Sequence, residues 1–288
     1  MTGERLTLSD FQFLAELLSV TYGLHFDSSA RGSLERRLLP RLSARGFSGF
    51  TEYVSYLRFS DPRDPEWDEL IHRVTVHETY FFRERMQLAS FSEEVLPLLY
   101  ERHKDKRKLT IWSAGCSTGE EVYGLAILLL QSRLFDGWNI HVYGTDVSRH
   151  CIQAARRGTY GPQSFRGCTV DDYAGHIVKE GDRYEVSAEL RKMCHFSLCN
   201  LSAVEAPLFF GLADAAFCRN VLIYLTDHAK ARLVSVLYDR LAQGGVLFLG
   251  HAESLLHLST AFELLHLERD LAYIKPVSDK IASDAQAQ

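Results

Sequence analysis

Apolar residues recur at helical spacing through the first part of the chain. Phe11, Leu14, Leu17 and Leu18 fall on one face of a helix that Ser9 or Asp10 would cap and that ends near Gly23. Leu34, Leu38 and Leu42 lie at i, i+4 and i+8 and predict a second helix over about 29–45, bent or divided at Pro40. Phe50, Tyr53, Val54 and Leu57 predict a third helix, stopped by Ser60-Asp61-Pro62. Trp67, Leu70, Ile71 and Val74 predict a short fourth. No stretch before residue 85 alternates convincingly as a strand would. Residues 1–85 are expected to form an all-α N-terminal domain and linker.

A helix over 87–102 then leads through a charged link into alternating strand and helix patterns. Strands are predicted over 109–112, 139–145, 194–199, 213–218 and 246–250. Helices are predicted over 122–130, 148–157 and 227–241, and the turn Gln243-Gly244-Gly245 precedes the 246–250 strand. Two short strands close the pattern. Residues 160–193 are the least regular part, with short alternating pieces that suggest a small β insertion. This is the layout of an α/β doubly wound sheet, over 86–276, with a polar tail at 277–288 expected to fray.

The composition narrows the class without naming it. Of 288 residues, 46% are hydrophobic and 24% charged, as in ordinary globular proteins, and the formal net charge of −5 argues against bulk nucleic-acid binding. The six cysteines form no C-x-x-C pair, which reads as reduced thiols. The twelve histidines show no ligand grouping, so no metal is expected. The N-terminus lacks signal-peptide architecture and no apolar run is long enough to span a bilayer, so the expectation is a cytoplasmic protein with no membrane insertion.

Candidate chemistry concentrates where the first strand turns into its helix, L-T-I-W-S-A-G-C-S-T-G-E-E-V-Y (Leu109 to Tyr123). In doubly wound folds ligands bind at the carboxyl end of the first strand, against the next helix's free N–H groups. Glu120 and Glu121 put two carboxylates in that first turn, the wrong sign for a phosphate. No G-x-G-x-x-G or P-loop pattern is present. S-adenosylmethionine, which carries a sulfonium and an ammonium and no phosphate, fits the acidic turn better, although the same small residues serve any strand-to-helix turn. Asp146, ending the second strand, stands where such folds put the acid that accepts from ribose hydroxyls. Arg31, Arg36, Arg37, Arg41 and Arg45 crowd the second helix with Glu35 as the only acid among them, either a solvated face or a docking face for an acidic partner. Tyr80, Phe81 and Phe82 are bulky enough to pin two domains together, or serve as ordinary core packing, and Arg83 follows them directly.

Six motifs occur in order: T-Y-F-F-R (Thr79 to Arg83), W-S-A-G-C-S-T-G-E-E-V-Y (Trp112 to Tyr123), G-T-D-V (Gly144 to Val147), C-N-L (Cys199 to Leu201), F-C-R-N-V-L-I-Y (Phe217 to Tyr224) and L-G-H-A-E-S (Leu249 to Ser254). Together they resemble the CheR family, the S-adenosylmethionine-dependent methyltransferases that esterify glutamate side chains of bacterial chemoreceptors. The resemblance implies a class I methyltransferase sheet and gives each motif a role. Asp146 would hold the ribose hydroxyls, and Glu121 the methionine end or amine of the cofactor. Asn200 and Leu201 would line the adenine side, and Arg219 and Asn220 the pocket wall. His77 (Asn in the best-known members), Thr79 and Arg83 would close over the methionine moiety, with Arg83 and Tyr224 facing the acceptor glutamate. Arg36, Arg37 and Arg41 would correspond to the receptor-docking surface. Apart from the resemblance, His251 and Glu253 suggest acid/base chemistry, which methyl transfer to a carboxylate does not need, so a structural role is expected for both. The competing reading is an interaction module that senses S-adenosylmethionine without methylating a receptor.

Overall fold

The computed structural model describes residues 5–61, 63–173, 175–203 and 210–277. The expected frayed tail lies outside these from residue 278 onward. Four helices come first: α1 Leu8–Tyr22, α2 Arg31–Arg45, α3 Phe50–Phe59 and α4 Pro65–Val74. The α1 cap is Thr7, whose side chain accepts from the Asp10 N–H. Neither Ser9 nor Asp10 is the cap, because the helix begins a residue or two earlier than the apolar pattern does. Asp10 is instead buried and accepts from the Thr7 and Thr51 hydroxyls. Helix α2 runs unbroken through Pro40. Pro40 lies on the exposed side, where water can satisfy the carbonyl that loses its N–H partner. Leu34, Leu38 and Leu42 form the buried stripe.

The chain then continues as α5 Arg85–Ser90, a π-helical turn Phe91–Val95 and α6 Leu96–His103. Pro97 has no N–H to give, and the Leu96 N–H reaches back to the Phe91 carbonyl, so the expected single helix over 87–102 carries a wide turn. Next come β1 Lys108–Ala114, α7 Glu120–Ser132, β2 Asn139–Asp146, α8 Arg149–Arg157, β3 Thr159–Tyr160, β4 Ile177–Glu180, β5 Arg183–Val186, α9 Ala188–Met193 and β6 Cys194–Leu198. After these follow β7 Ala213–Cys218, α10 Asp227–Arg240, β8 Leu241–Leu249, β9 Glu263–His266 and β10 Leu271–Ile274.

Seven strands form one sheet in the order β6-β2-β1-β7-β8-β10-β9, parallel except for the terminal hairpin β9–β10. This is the class I methyltransferase arrangement. Strand β8 begins at Leu241, before the Gly244-Gly245 pair expected to be a turn. Gly244, at φ 70°, makes an irregularity within the strand, and the pair bonds across to Lys275. Central strands β1 and β7 are buried almost end to end, as a sheet covered on both faces requires. Trp112, Ala114, Ala216 and Leu247 face a core shared with the N-terminal helices and α10. Leu109, Ile111, Phe217 and Phe248 face the other core, which takes in α6 and α7.

The insertion forms a separate antiparallel sheet, β3-β5-β4. Tyr80, Phe81 and Phe82 do not pin the N-terminal helices to the sheet, as their bulk suggested. They bind the linker to this insertion: Phe81 stacks on Phe165 at 4.7 Å, Phe82 on Tyr173 at 4.1 Å, and the Arg166 guanidinium lies 4.0 Å from the Tyr80 ring. The Phe81 N–H donates to the Ser164 carbonyl. Among the described residues no helix is long and apolar enough to cross a membrane.

Candidate active site

The loops that leave β1, β2, β6 and β7 at their carboxyl ends meet at one cavity of about 340 Å³. Strand order reverses between β1 and β7, and the crevice opens there for want of a crossing helix. Gly115 follows β1 at φ 82°. Any Cβ built on it would come within 2.4 Å of Val221 Cγ2, so only glycine lets the β1 turn lie against the loop after β7. Gly115→Ala is expected to destabilise the fold by about 1–3 kcal/mol and to weaken ligand binding. An unshifted melting curve with unchanged affinity for S-adenosylhomocysteine would show that the turn has room to relax.

His77, Thr79, Arg83, Glu121, Asp146, Asn200, Leu201, Arg219, Asn220 and Tyr224 all line this cavity, although they come from five separate stretches of chain. Asp146 is buried. Its two carboxylate oxygens accept from the Ser117 and Ser148 N–H groups, each at 2.8 Å. Burial pushes its pKa up, and those two backbone donors pull the other way. Asn200 donates to the Thr21 carbonyl at 2.7 Å, tying the end of β6 to the end of α1. Tyr224 ends a single 3₁₀ turn. Its carbonyl accepts from the His25 N–H at 2.8 Å, and a Leu24–Leu225 bridge joins the two chains there. Tyr22 and Arg37 from α1 and α2, with His25 and Phe26 from the segment between them, therefore complete the wall. No local sequence signal marks them as cavity residues, because their place depends on contacts some 200 residues apart.

Of the two acidic residues in the first turn of α7, only Glu121 faces the cavity. Glu120 is buried against the insertion and accepts from the Thr118 and Ser164 hydroxyls at 2.6 and 2.9 Å. Glu121 accepts from the Ser113 hydroxyl at 2.7 Å and lies 3.3 Å from Arg219 Nη1. The acidic turn that the sequence offered to a cationic ligand thus carries one carboxylate, shared with a guanidinium. Arg219 is itself buried. It also lies 3.3 Å from Glu84 and donates to the Arg83 carbonyl at 2.5 Å. Phe82 and Glu84, on either side of Arg83, both sit at φ 59°, a conformation that non-glycine residues avoid. The Arg219 bonds hold that strained segment in place. Arg83 Nη1 donates to the Glu78 carbonyl at 3.0 Å, and the side chain passes near the Tyr80 ring toward the cavity.

This donor set suits S-adenosylmethionine: a carboxylate at the end of β2, a second in the α7 turn, a close backbone approach at Gly115, and no glycine-rich cradle for phosphate. Residues 77–271 match the family described as CheR methyltransferase, SAM binding domain, and residues 9–75 match the CheR methyltransferase all-alpha domain. The chain belongs to the CheR family. It is 32% identical over 277 residues to chemotaxis protein methyltransferase 2 of Vibrio cholerae, covering 96% of both chains. It is 29% identical over 268 residues to the chemotaxis protein methyltransferase of Escherichia coli K12, covering 91% of this chain and 90% of the other. The corresponding protein of Borreliella burgdorferi is 28% identical over 280 residues, with 96% and 95% covered. As a member of this family the chain is an S-adenosylmethionine-dependent methyltransferase, and the reading as a non-catalytic sensor is not favoured.

Two expectations about this CheR protein change with the structure. The three arginines expected to dock a partner are not equivalent. Arg41 grips the buried Glu66 through Nε and Nη2, at 2.5 to 3.1 Å, and Tyr53 donates to the same carboxylate. Its charge is spent inside the helical part, where an unpaired Glu66 would be costly. Arg36 and Arg37 are both exposed, but Arg37 donates to the Val74 carbonyl at 3.0 Å and borders the cavity.

The histidines do gather: ligand atoms of His72, His77 and Cys151 lie within 4.8 Å of one another. The spacing of 72, 77 and 151 could not reveal this, since α8 brings Cys151 to the linker. The two imidazoles stack at 4.6 Å with planes 18° apart, so their in-plane lone pairs do not converge on one ion. A hydrogen-bond chain accounts for the contacts. His77 Nε2–H donates to the His72 carbonyl at 2.7 Å, the Cys151 thiol to His77 Nδ1 at 3.2 Å, and His72 Nδ1 bonds the Ser148 hydroxyl at 3.1 Å. On its other face His72 stacks on His150, which meets Glu69.

Burial, then the neighbouring His77 and His150, push the His72 pKa down to about 4, with Glu69 opposing and Arg73 adding to the shift. The unfolded chain binds a proton at this residue below its ordinary value of about 6.5, and the native protein does not until about 4. The His72 contribution to stability is therefore whole above about 6.5 and is lost as pH falls toward 4. His72→Gln should flatten the melting temperature against pH in that window. Parallel curves for the two proteins would disprove this.

Proposed function

We propose that this CheR-family protein transfers the methyl group of S-adenosylmethionine to glutamate side chains of a chemoreceptor or a receptor-like helical signalling protein, giving methyl esters. The observation that carries this reading is the meeting of an anion-matching guanidinium, Arg83, with the cofactor-type carboxylates Asp146 and Glu121 at one cavity. The names of the relatives, chemotaxis protein methyltransferases, support the acceptor class.

Bound S-adenosylmethionine would supply an electrophilic methyl on sulfur. A carboxylate is ionised at neutral pH, so the chain need supply no base. Its residues have to orient the acceptor and compensate its charge as it leaves water. Arg83 offers the planar fork that fits a carboxylate, and the Tyr224 hydroxyl fixes the second oxygen. Asp146 holds the ribose hydroxyls, Glu121 faces the amine, Asn200 and Leu201 line the adenine side, and Arg219 and Asn220 complete the pocket wall. Residues 1–85 act as the acceptor-docking part and 86–276 as the methyltransferase part, with Arg36 and Arg37 the cations that meet an acidic receptor face.

The decisive experiment incubates the protein with tritiated S-adenosylmethionine and membranes from its source. Label released as methanol by mild base marks a glutamyl ester; base-stable label or none refutes the reading. Asp146→Ala is expected to weaken S-adenosylhomocysteine binding about ten- to a hundredfold, the loss of hydrogen bonds to a charged group. Unchanged calorimetric affinity would exclude the ribose role.

A further inference from the structure

Glu253 lies in the loop after β8, outside the cavity lining, and its carboxylate is directed at backbone. Oε2 accepts from the Asn220 N–H at 2.7 Å and the Gly250 N–H at 2.8 Å. Oε1 accepts from the Val221 N–H at 2.8 Å and the Ile223 N–H at 3.3 Å. Three of these four donors belong to the loop from Arg219 to Tyr224, which supplies Arg219, Asn220 and Tyr224 to the cavity. Four N–H groups on one carboxylate use its acceptor capacity fully, and only the ionised form can receive them all.

That loop needs such a hold. Asn220 sits at φ 58°, a strained conformation for a residue with a side chain. The space around the contact is closed: a Cβ on Gly250 would fall within 2.9 Å of Glu253 Oε2, Asn220 N and Asn220 Nδ2. Among the described residues, the segment after α1 bonds the far end of the loop, through the His25 to Tyr224 bond and the Thr226 to Gly23 bond. Between Arg219 and that end, Glu253 gathers the successive N–H groups that would otherwise point into a partly buried space.

We propose that Glu253 is a positioning residue for methyl transfer: by fixing the backbone of residues 220–223 it sets where the Tyr224 hydroxyl meets the acceptor carboxylate. It takes no proton in the reaction and touches neither cosubstrate. The inference rests on the acceptor role of Tyr224 proposed above. Displacing a positioned group by an ångström costs up to about a hundredfold in rate, so the effect should fall on turnover more than on cofactor binding.

Two substitutions and two measurements test this. Glu253→Gln keeps the shape but turns one N–H acceptor into a donor, and Glu253→Asp is a methylene too short to span both ends of the contact. Both should lower kcat about tenfold or more, with the KM for S-adenosylmethionine within about threefold. Amide hydrogen exchange of the peptide over 219–224 should quicken in the unliganded variants while the helices α1 to α4 keep wild-type protection. Unchanged kcat with unchanged exchange overturns the proposal. A loss in kcat matched by equal losses in cofactor affinity and in protection across the whole chain also overturns it, since that is general destabilisation. Should the wild-type protein methylate no receptor, the proposed function fails, and the exchange measurement still decides whether Glu253 holds the loop.

Discussion

Replacing Arg83 by alanine is expected to reduce methyl transfer by about two orders of magnitude, while affinity for S-adenosylhomocysteine stays within about threefold. The asymmetry follows from how the residue is held. Its backbone is fixed by Arg219, which donates to the Arg83 carbonyl, and by the neighbours Phe81 and Phe82, which are stacked into the insertion. Among the described residues the side chain is held by the Glu78 carbonyl and its approach to Tyr80. Truncation therefore leaves the cavity wall standing and removes the group that compensates the acceptor's charge. Arg83→Lys should give an intermediate loss, because an ammonium keeps the charge and lacks the fork. Transfer at the wild-type rate by Arg83→Ala, or a loss of affinity as large as the loss of rate, would remove Arg83 from the acceptor side.

Arg219→Met should destabilise the protein by about 3–5 kcal/mol, the cost of leaving two largely enclosed carboxylates without their partner. Arg219 is almost fully buried and lies 3.3 Å from both Glu84 and Glu121. Without it, Glu121 keeps the Ser113 hydroxyl, but Glu84 loses its guanidinium partner and the φ 59° segment around Arg83 loses the bond to its carbonyl. For a chain of this size the melting temperature should fall by roughly 6–20 °C, and cofactor affinity should fall with it. A shift of under about 1 °C would mean that water or a rearranged side chain takes the place of the guanidinium.

These two arginines illustrate how far the sequence could be read. The strand-to-helix alternation, the acid at the end of β2 and the ordered motifs led to the sheet and its switch point, because hydrophobic periodicity and turn glycines are local properties. Residues of five of the six motifs reach one cavity because a parallel sheet collects the carboxyl ends of its strands on one edge. The direction of a particular charge was not legible. Glu120 and Glu121 are adjacent and chemically alike. One turns into the insertion and the other into the cavity, a matter of helix phase against two different neighbours. Arg36 and Arg41 look interchangeable on α2, yet only Arg41 is drawn onto the buried Glu66.

The sequence by itself determined the α/β class, the helical first part and the cofactor class, since each rests on periodicity or on residues a few positions apart. Tertiary structure alone decided the rest. It brought Tyr22, His25 and Phe26 to the wall, stacked His77, His72 and His150, shared Glu121 with Arg219, and set Glu253 beneath four amides. The physical reason is the same in each case. Buried polar groups must find partners wherever the folded chain supplies them, and those partners lie tens to hundreds of residues away, beyond the reach of any local pattern.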